Sequence, residues 1–442
     1  MRPSSSRSEL FGAIEARGGA AEATSDRAWL QAMLDFEAGL ARAQAGAGLI
    51  PHDDAEAIAA ACVAERYDVS EIGAAAAGIG NPAGPLVKAL TARVEGPAAG
   101  HVHKGATSQD VLDTAAMLVA KRALEPILAD LSATAGACAA HALRHRDTPM
   151  AGRTLLQQAV PVTFGLKAAG WMTTFDEAAA RLRDLRETRL AVQLGGAAGT
   201  LASLGDAGPE VLARLAGELG LNEPVLPWHT LRTRVGELAG ALGGAAGSIG
   251  KAARDVTLMA QTEVAEVRET ASGGSSTMPH KQNPVAAVAA LACSGQAPGM
   301  AATLLAAMIQ EHERAAGAWH SEWKPFSDLL LATGSAAAWL RASLEGLEVD
   351  AVRMRANLDA TGGLLLAERV VGALAPELGR LAAHELVEHA AASSLPFADA
   401  LERATELPRA EIDRLLDPVE YLGSAGELVD RALAAHRTEV HT

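Results

Sequence analysis

The stretch Leu238 to Met259, LAGALGGAAGSIGKAARDVTLM, decides how the chain folds. Leu238, Leu242, Ala245, Ile249, Ala252, Val256 and Met259 recur at alternating steps of four and three, which puts them on one stripe of an α-helix, the seam of a helix packed among others. Gly240, Gly243, Gly244, Gly247 and Gly250 share the segment. Each costs about 1 kcal/mol relative to alanine in an exposed helix interior, so close contact with neighbouring helices must support it. Comparable long segments run from about Ser108 to His145, Val162 to Leu190, Pro284 to Glu313 and Ser321 to Leu344. β-Branched alternating runs are almost absent. The expected fold class is therefore all-α, with a central bundle of about five helices. They are longer than one small domain requires, which points to an oligomer.

The helical rhythm breaks at Gly78 to Pro85 (GIGNPAGP) and again at Gly96 to Gly105, so an N-terminal helical domain is expected over 1–105. The long-helix domain then occupies 106–346. Beyond it, Gly362-Gly363, Pro396, Pro408 and Pro418 divide shorter amphipathic pieces into a C-terminal helical domain, 347–442. No internal repeat or low-complexity linker interrupts this order.

Composition narrows the function. The 442 residues are 49% hydrophobic and 21% charged, as in a well-packed globular protein and unlike a disordered or collagen-like chain. Acidic residues outnumber basic ones by 53 to 38, a formal net charge of -15. That charge argues against a nucleic-acid or anionic-membrane partner and requires a local basic pocket for any anionic ligand. Cys62, Cys138 and Cys293 lie far apart without C-x-x-C spacing, so they read as reduced thiols of a cytoplasmic protein. The polar start, with Arg2, Arg7 and Glu9, lacks the apolar core of a secretion signal. Leu190 to Gly205, taken as the longest uncharged run, is broken by Gln193, Thr200, Ser203 and glycines, short of the roughly 18 apolar residues of a membrane span. No bilayer crossing is expected.

Three polar islands stand out. In His101-VHKGATSQ-Asp110, Thr107 and Asp110 have capping-box spacing ahead of the long helix. The simple reading is a helix start. The functional one adds that the N–H groups and hydroxyls there form a carboxylate site, with His103 and Lys104 alongside. In Gly152-RTLLQQAVPV-Thr163, Arg153, Thr154, Gln157 and Gln158 gather a guanidinium, a hydroxyl and two amides, either to orient a carboxylate or as a polar helix start with Arg153 in a surface ion pair. The third island, Gly273-GSSTMPHKQN-Pro284, is more specific. Asn283 then Pro284 reads as N-cap and first helical residue, so the loop faces the partial positive charge of a helix N-terminus. A serine there, near Lys281, has the means to stabilise an alkoxide. A plain Gly/Ser connector explains neither the placement of one of only seven lysines nor the Met278-Pro279 turn.

Gly274 to Asn283 matches the loop G-S-S-x-M-P-x-K-x-N in full, and here the chain resembles the fumarase/aspartase superfamily. The likeness covers essentially the whole chain. It is strongest to the branch that lactonises carboxymuconates, on LDFEAGLARAQAGAGLIP, HKGATSQDVLDTA, PWHTLRTR at 227 to 234, GGSSTMPHKQNPV, QEHERAAGAWHSEW at 310 to 323 and LDPVEYLG. The resemblance implies an α-helical, three-domain subunit in a homotetramer whose active sites are shared between chains. It makes Ser275 the proton-transferring residue, with Ser276 beside it. Lys281 and Asn283 would contact a substrate carboxylate, Thr107 and Ser108 supply hydroxyls, and Arg314 lies in a fourth segment. The substrate implied is a small tricarboxylate, handled without cofactor. Arg153, Arg232, Arg234, Lys281 and Arg314 would then be focused into one cleft with His103, and Met278 would line it. Arg232 and Arg234 read equally well as solvated helix-face charges.

Two departures matter. Leu155 and Gln158 stand where many lyases of the superfamily have histidines, which argues against adenylosuccinate lyase activity and leaves a second acid-base group unassigned. Lys104 replaces an apolar or aromatic residue. His101 with His103, or His312 with Glu313 and His320, lack H-E-x-x-H spacing, so no metal is expected. No G-x-G-x-x-G or phosphate loop implies a nucleotide.

Overall fold

The computed structural model describes residues 10–271, 273–274, 278 and 280–440. These residues are predominantly helical, and the long helices expected in the bundle are Ser108–Arg144, Phe164–Thr188, Thr233–Met259, Val285–Ala306 and Ala318–Glu345. Every residue of the seam from Leu238 to Met259 is at most 4% exposed. The chain divides into two compact units, each assembled from three stretches.

The first unit comprises 1–131, 177–251 and 289–339. Helix Asp26–Gly46 starts where the Ser25 hydroxyl accepts the Ala28 N–H, and it buries Leu34, Phe36 and Leu40 against helices His52–Ala61 and Gly208–Leu219. Of the bundle glycines, Gly250 and Gly243 are used inside the unit. A Cβ on Gly250 would meet Ser294 Oγ at 2.8 Å, and one on Gly243 would meet Ala301 at 3.4 Å. Gly240, Gly244 and Gly247 face open space instead.

The second unit comprises 132–176, 252–288 and 340–442. Its C-terminal helices Ala367–Leu378, Arg380–Ala391, Phe397–Ala404 and Arg409–Leu415 enclose a core of Val370, Val387, Phe397, Leu401 and Ile412. Among the described residues, three small antiparallel pairs interrupt the helical pattern. The largest joins Pro149–Thr154 to Gln157–Thr163, so the second island is a β-hairpin and not the start of a helix. Its alternation was hidden by a register shift between Ala151 and Arg153, where a Cβ on Gly152 would press to 2.7 Å from the Val160 carbonyl oxygen, and by Pro161.

One correction concerns apolar length. The uncharged run Gln282 to Gln310 is longer than Leu190 to Gly205, and helix Val285–Ala306 within it has the length and apolarity of a span, with a mean hydropathy of 1.4 over its best window. Only 39% of that window is buried within the chain.

His141 and His145 stack beside Phe164 in the second unit. His141 Nε2 donates to the Leu344 carbonyl at 3.0 Å, and its buried Nδ1 has no partner. Burial pushes the pKa of both rings below the ordinary 6.5, assisted by the Arg144 charge. The unfolded chain therefore binds protons that the folded chain refuses. The stabilisation present above pH 6.5 is lost as pH falls through the lower folded-state values. The melting temperature should drop between about pH 7.5 and about 5.5. His141→Gln, which keeps a donor for Leu344, should shrink that drop; an unchanged drop would remove His141 as its source.

Candidate active site

In the first unit, polar groups converge on the start of helix Ser108–Arg144. The Thr107 N–H donates to Asp110 Oδ2 at 2.9 Å, the return half of a capping box. The Thr107 hydroxyl does not cap; it accepts from Arg314 Nη1 at 3.0 Å, across 207 residues of sequence. Arg314 Nη2 also donates to the Ala197 carbonyl at 2.8 Å. Asp110 is fully buried and accepts the N–H groups of Gly195 and Gly196, each at 3.0 Å, with His229 Nε2 2.7 Å away. One carboxylate thus ties the helix start to the 195–196 turn and to His229. Ser108 is half-buried at the same helix start, and His103 lies four residues upstream of Thr107 with its Nδ1 2.7 Å from Glu37 Oε1.

Arg232 departs from the expectation of a substrate contact. It is 4% exposed, and its Nε, Nη1 and Nη2 all donate to Asp113 and Glu322. Burial opposes its charge, but the two carboxylates outweigh that and raise its pKa. Trp319 Nε1 donates to Asp113 at 3.0 Å and Gln310 Nε2 to Glu322 at 2.8 Å, which spreads the surplus negative charge over neutral donors. A guanidinium already held by two carboxylates has no fork left for a third. Arg234 is half-buried over the Trp228 ring at 4.7 Å and donates to the Arg189 carbonyl; burial, then the charges of Arg189 and Arg232, lower its pKa.

In the second unit, Arg153 likewise departs from its expected grip on a ligand. Its fork donates to both oxygens of Glu266, at 2.9 and 2.7 Å, and Glu266 is fully buried. Asn357 Nδ2 donates to the same carboxylate at 2.9 Å. Gln158 Nε2 donates to the Asn357 carbonyl, while Thr154 and Gln157 are exposed at the hairpin end. Between them, Leu155 and Leu156 are 98% and 74% exposed, with φ of 50° and 64°. A two-residue hairpin of the primed type requires positive φ at both positions, and asparagine-glycine satisfies it far more cheaply than two leucines.

The third island is partly outside the described residues: Ser275 and Ser276 lie there. Of the rest, Gly273 pairs with Asn283 and Gly274 with Gln282. The Lys281 N–H donates to the Met278 carbonyl at 3.0 Å. Met278, Lys281 and Asn283 line a cavity of about 990 Å³ with Gln261, Glu269 and Asp350. Here another expectation fails. Asn283 is a strand residue and not the N-cap of helix Val285–Ala306; the buried Glu269 carboxylate accepts the Ala286 and Ala287 N–H groups at 3.0 and 2.9 Å, and the Ser343 hydroxyl at 2.6 Å. Two of the free N–H groups at that helix start are therefore spent within the chain.

Sequence reasoning missed Glu37, Asp113, Glu266, Glu269 and Glu322. The only signal for them was acidic residues set inside otherwise apolar helical or β segments, where a lone carboxylate needs a partner. Among the described residues, no group of three or more His, Cys, Asp and Glu side chains is placed to hold a metal ion.

Residues 15–299 match a family described as Lyase, and residues 363–432 match the adenylosuccinate lyase C-terminus. The chain is 50% identical over 425 residues to a 3-carboxy-cis,cis-muconate cycloisomerase of Bradyrhizobium diazoefficiens, covering 93% of this chain and 94% of the relative. It is 47% identical to a nitrosuccinate lyase of Streptomyces davaonensis, covering 93% and 91%. The crystal structure of the 3-carboxy-cis,cis-muconate lactonizing enzyme from Pseudomonas putida superposes with a TM-score of 0.92 at 46% identity, covering 98% of this chain and 100% of that one. With the loop Gly274 to Asn283 intact and the helical fold in place, the chain belongs to the lyase family of the fumarase/aspartase superfamily.

Proposed function

We propose that the protein lactonises 3-carboxy-cis,cis-muconate to 4-carboxymuconolactone, a step of the protocatechuate branch of the β-ketoadipate pathway, without a cofactor. The observation that carries this reading is 50% identity over 93% of the chain to a cycloisomerase. In the reaction, a carboxylate oxygen of the substrate bonds to one alkene carbon as the π bond breaks. The electron pair moves to the carbon beside another carboxylate, giving an aci-carboxylate that then takes a proton. That dianionic group is too basic to form without fixed cations around it. Ser275 gives the proton and, in the reverse β-elimination, removes it as the alkoxide. Because Glu269 occupies the Ala286 and Ala287 N–H groups, the Lys281 ammonium carries the stabilisation of charge at this loop. The nucleophile is the substrate's own carboxylate, so Leu155 and Gln158 need not act as bases. His103, Thr107, Ser108, Arg234 and Arg314 bind the tricarboxylate, with Thr154, Gln157, Gln158, Ser276, Met278 and Asn283.

These groups complete one another across chains in a homotetramer, each subunit organised as 1–105, 106–346 and 347–442. Support comes from the outer faces of two bundle helices. Ala292, Gly295, Gly299 and Ala302 are exposed at steps of three, four and three, and Gly240, Gly244 and Gly247 line a second small-residue stripe. Glycine lets a neighbouring backbone approach closely, and an apolar helix only 39% buried needs such a neighbour. Sedimentation of a monomer would defeat this. The three thiols are buried and unpaired, with Cys62 pushed up to about 12 and Cys293 to about 11 by burial, which suits a protein of the reducing cytoplasm.

The deciding experiment follows loss of the conjugated diene in the ultraviolet, with 3-carboxy-cis,cis-muconate set against adenylosuccinate and nitrosuccinate. The 47% identity to a nitrosuccinate lyase favours fumarate release as the second reading. Fumarate formation without diene loss would establish it.

The hairpin tip offers a separate test. Leucines held at positive φ cost roughly 1–2 kcal/mol each, so Leu155→Asn with Leu156→Gly should stabilise the fold by about 1–3 kcal/mol. Strain kept at an exposed tip fits a functional contact, so turnover or assembly should suffer. A variant that is both more stable and fully active would make the tip irrelevant.

A further inference from the structure

We propose that Glu37 is a positioning residue that holds the His103 ring with Nδ1 turned inward, leaving Nε2 as the one ring nitrogen free to meet a substrate carboxylate. The proposal deepens the cycloisomerase reading and rests on it. Glu37 sits in helix Asp26–Gly46 among Met33, Leu34, Phe36 and Leu40, and is 1% exposed. A carboxylate in such a place is costly unless its oxygens are satisfied. Its Oε1 lies 2.7 Å from His103 Nδ1, yet its buried Oε2 has no hydrogen-bond partner. A carboxylate with one oxygen unpaired is a costly way to fill this place, and the use the structure shows for it is its contact with the histidine.

His103 carries the second mark. Its φ is +59°, a left-handed conformation uncommon among L residues although histidine, asparagine and aspartate adopt it more often than the rest, and the chain holds it there four residues before Thr107. Its side chain stays 19% exposed although Nδ1 is covered. With Nδ1–H donated to Glu37, the tautomer is fixed and any outside ligand must use Nε2. The charges facing the ring come from two helices: Glu37 on Asp26–Gly46 and Asp110 on Ser108–Arg144. Asp110 already accepts three backbone N–H groups and lies against His229. The neighbouring Lys104 ammonium donates to the Leu49 carbonyl at 3.3 Å. Burial disfavours the imidazolium, but the Glu37 hydrogen bond and charge, then the Asp110 charge, outweigh it and raise the His103 pKa above 6.5. The same contacts favour the imidazolium form of His103, four residues before the Thr107–Arg314 pair, where a tricarboxylate needs a cation.

The test measures diene loss across pH for the wild type, Glu37→Gln, His103→Gln and the double variant. For Glu37→Gln, KM should rise about tenfold near neutral pH with kcat much less affected, the usual size of losing a group that supports a contact residue. The rise of KM with pH should begin at lower pH than in the wild type. It should vanish in His103→Gln, and the double variant should be no worse than His103→Gln alone. Wild-type KM and pH profile in a folded Glu37→Gln, or additive losses in the double variant, would overturn the proposal. Should Glu37→Gln fail to fold, imidazole NMR of the wild type, assigned against His103→Gln, still decides. A raised pKa with Nδ1 protonated supports the proposal, and an Nε2–H neutral ring of ordinary pKa sinks it. Absence of diene loss in the wild type would sink the cycloisomerase reading instead, while the NMR result would still judge the Glu37–His103 pair.

Discussion

Ser275→Ala is expected to lower kcat for 3-carboxy-cis,cis-muconate by at least about a hundredfold, with the assembly intact and KM little changed. The size follows from the intermediate. An aci-carboxylate must be protonated at carbon, and water at neutral pH is a poor donor without a positioned acid. Lys281 and Asn283 belong to the same loop and line its cavity, so the Lys281 charge and the Asn283 amide survive the substitution. Protonation should then become slow enough to show a solvent isotope effect on kcat. A variant with wild-type turnover in an assembly of wild-type size would remove Ser275 from the chemistry and the proposed mechanism with it.

Arg232→Met is the second large effect, and it should appear in stability and not in KM. The substitution leaves Asp113 and Glu322 facing each other without their cation, both buried, at 2% and 3% exposure. Removing one partner from a buried ionic cluster costs about 3–5 kcal/mol, so the urea midpoint should fall steeply or the chain should fail to fold. Arg232→Lys should recover only part of the loss, because an ammonium cannot form two planar forks at once. A folded Arg232→Met of normal stability with a raised KM would restore Arg232 to the substrate's side of the site. Arg153 poses a similar question against Glu266, but the ring of interactions is smaller and one member is partly exposed.

The long helices were legible because each spans many turns and its buried stripe repeats. Expected limits of Ser108 to His145 and Val162 to Leu190 compare with Ser108–Arg144 and Phe164–Thr188. The hairpin at 149–163 was not, since a bulge and Pro161 break the two-residue rhythm on which a strand is recognised. Segment Pro284 to Glu313 was expected as a helix, but its apolar length was not recognised, because alanine and glycine dilute its hydrophobicity although no charge interrupts Gln282 to Gln310. The Thr107–Asp110 capping contact was legible from local spacing. Arg153 and Arg232 make ion pairs with carboxylates far away in the sequence, and Asn283 is not the helix N-cap that its place before Pro284 suggested.

The sequence by itself determined the long helical segments, the buried stripe from Leu238 to Met259, and the loop in which serines precede a lysine. Those follow from short-range periodicity and from motif chemistry, both readable within a few turns of chain. Only the tertiary structure decided which charges are spent and which remain. Arg153 meets Glu266 across 113 residues, Arg232 meets Asp113 across 119, and His103 meets Glu37 across 66. Electrostatic energy depends on distance in space and on burial, and neither is written in sequence separation. The same guanidinium is a ligand's anchor or a structural brace according to whether folding has already brought it a carboxylate.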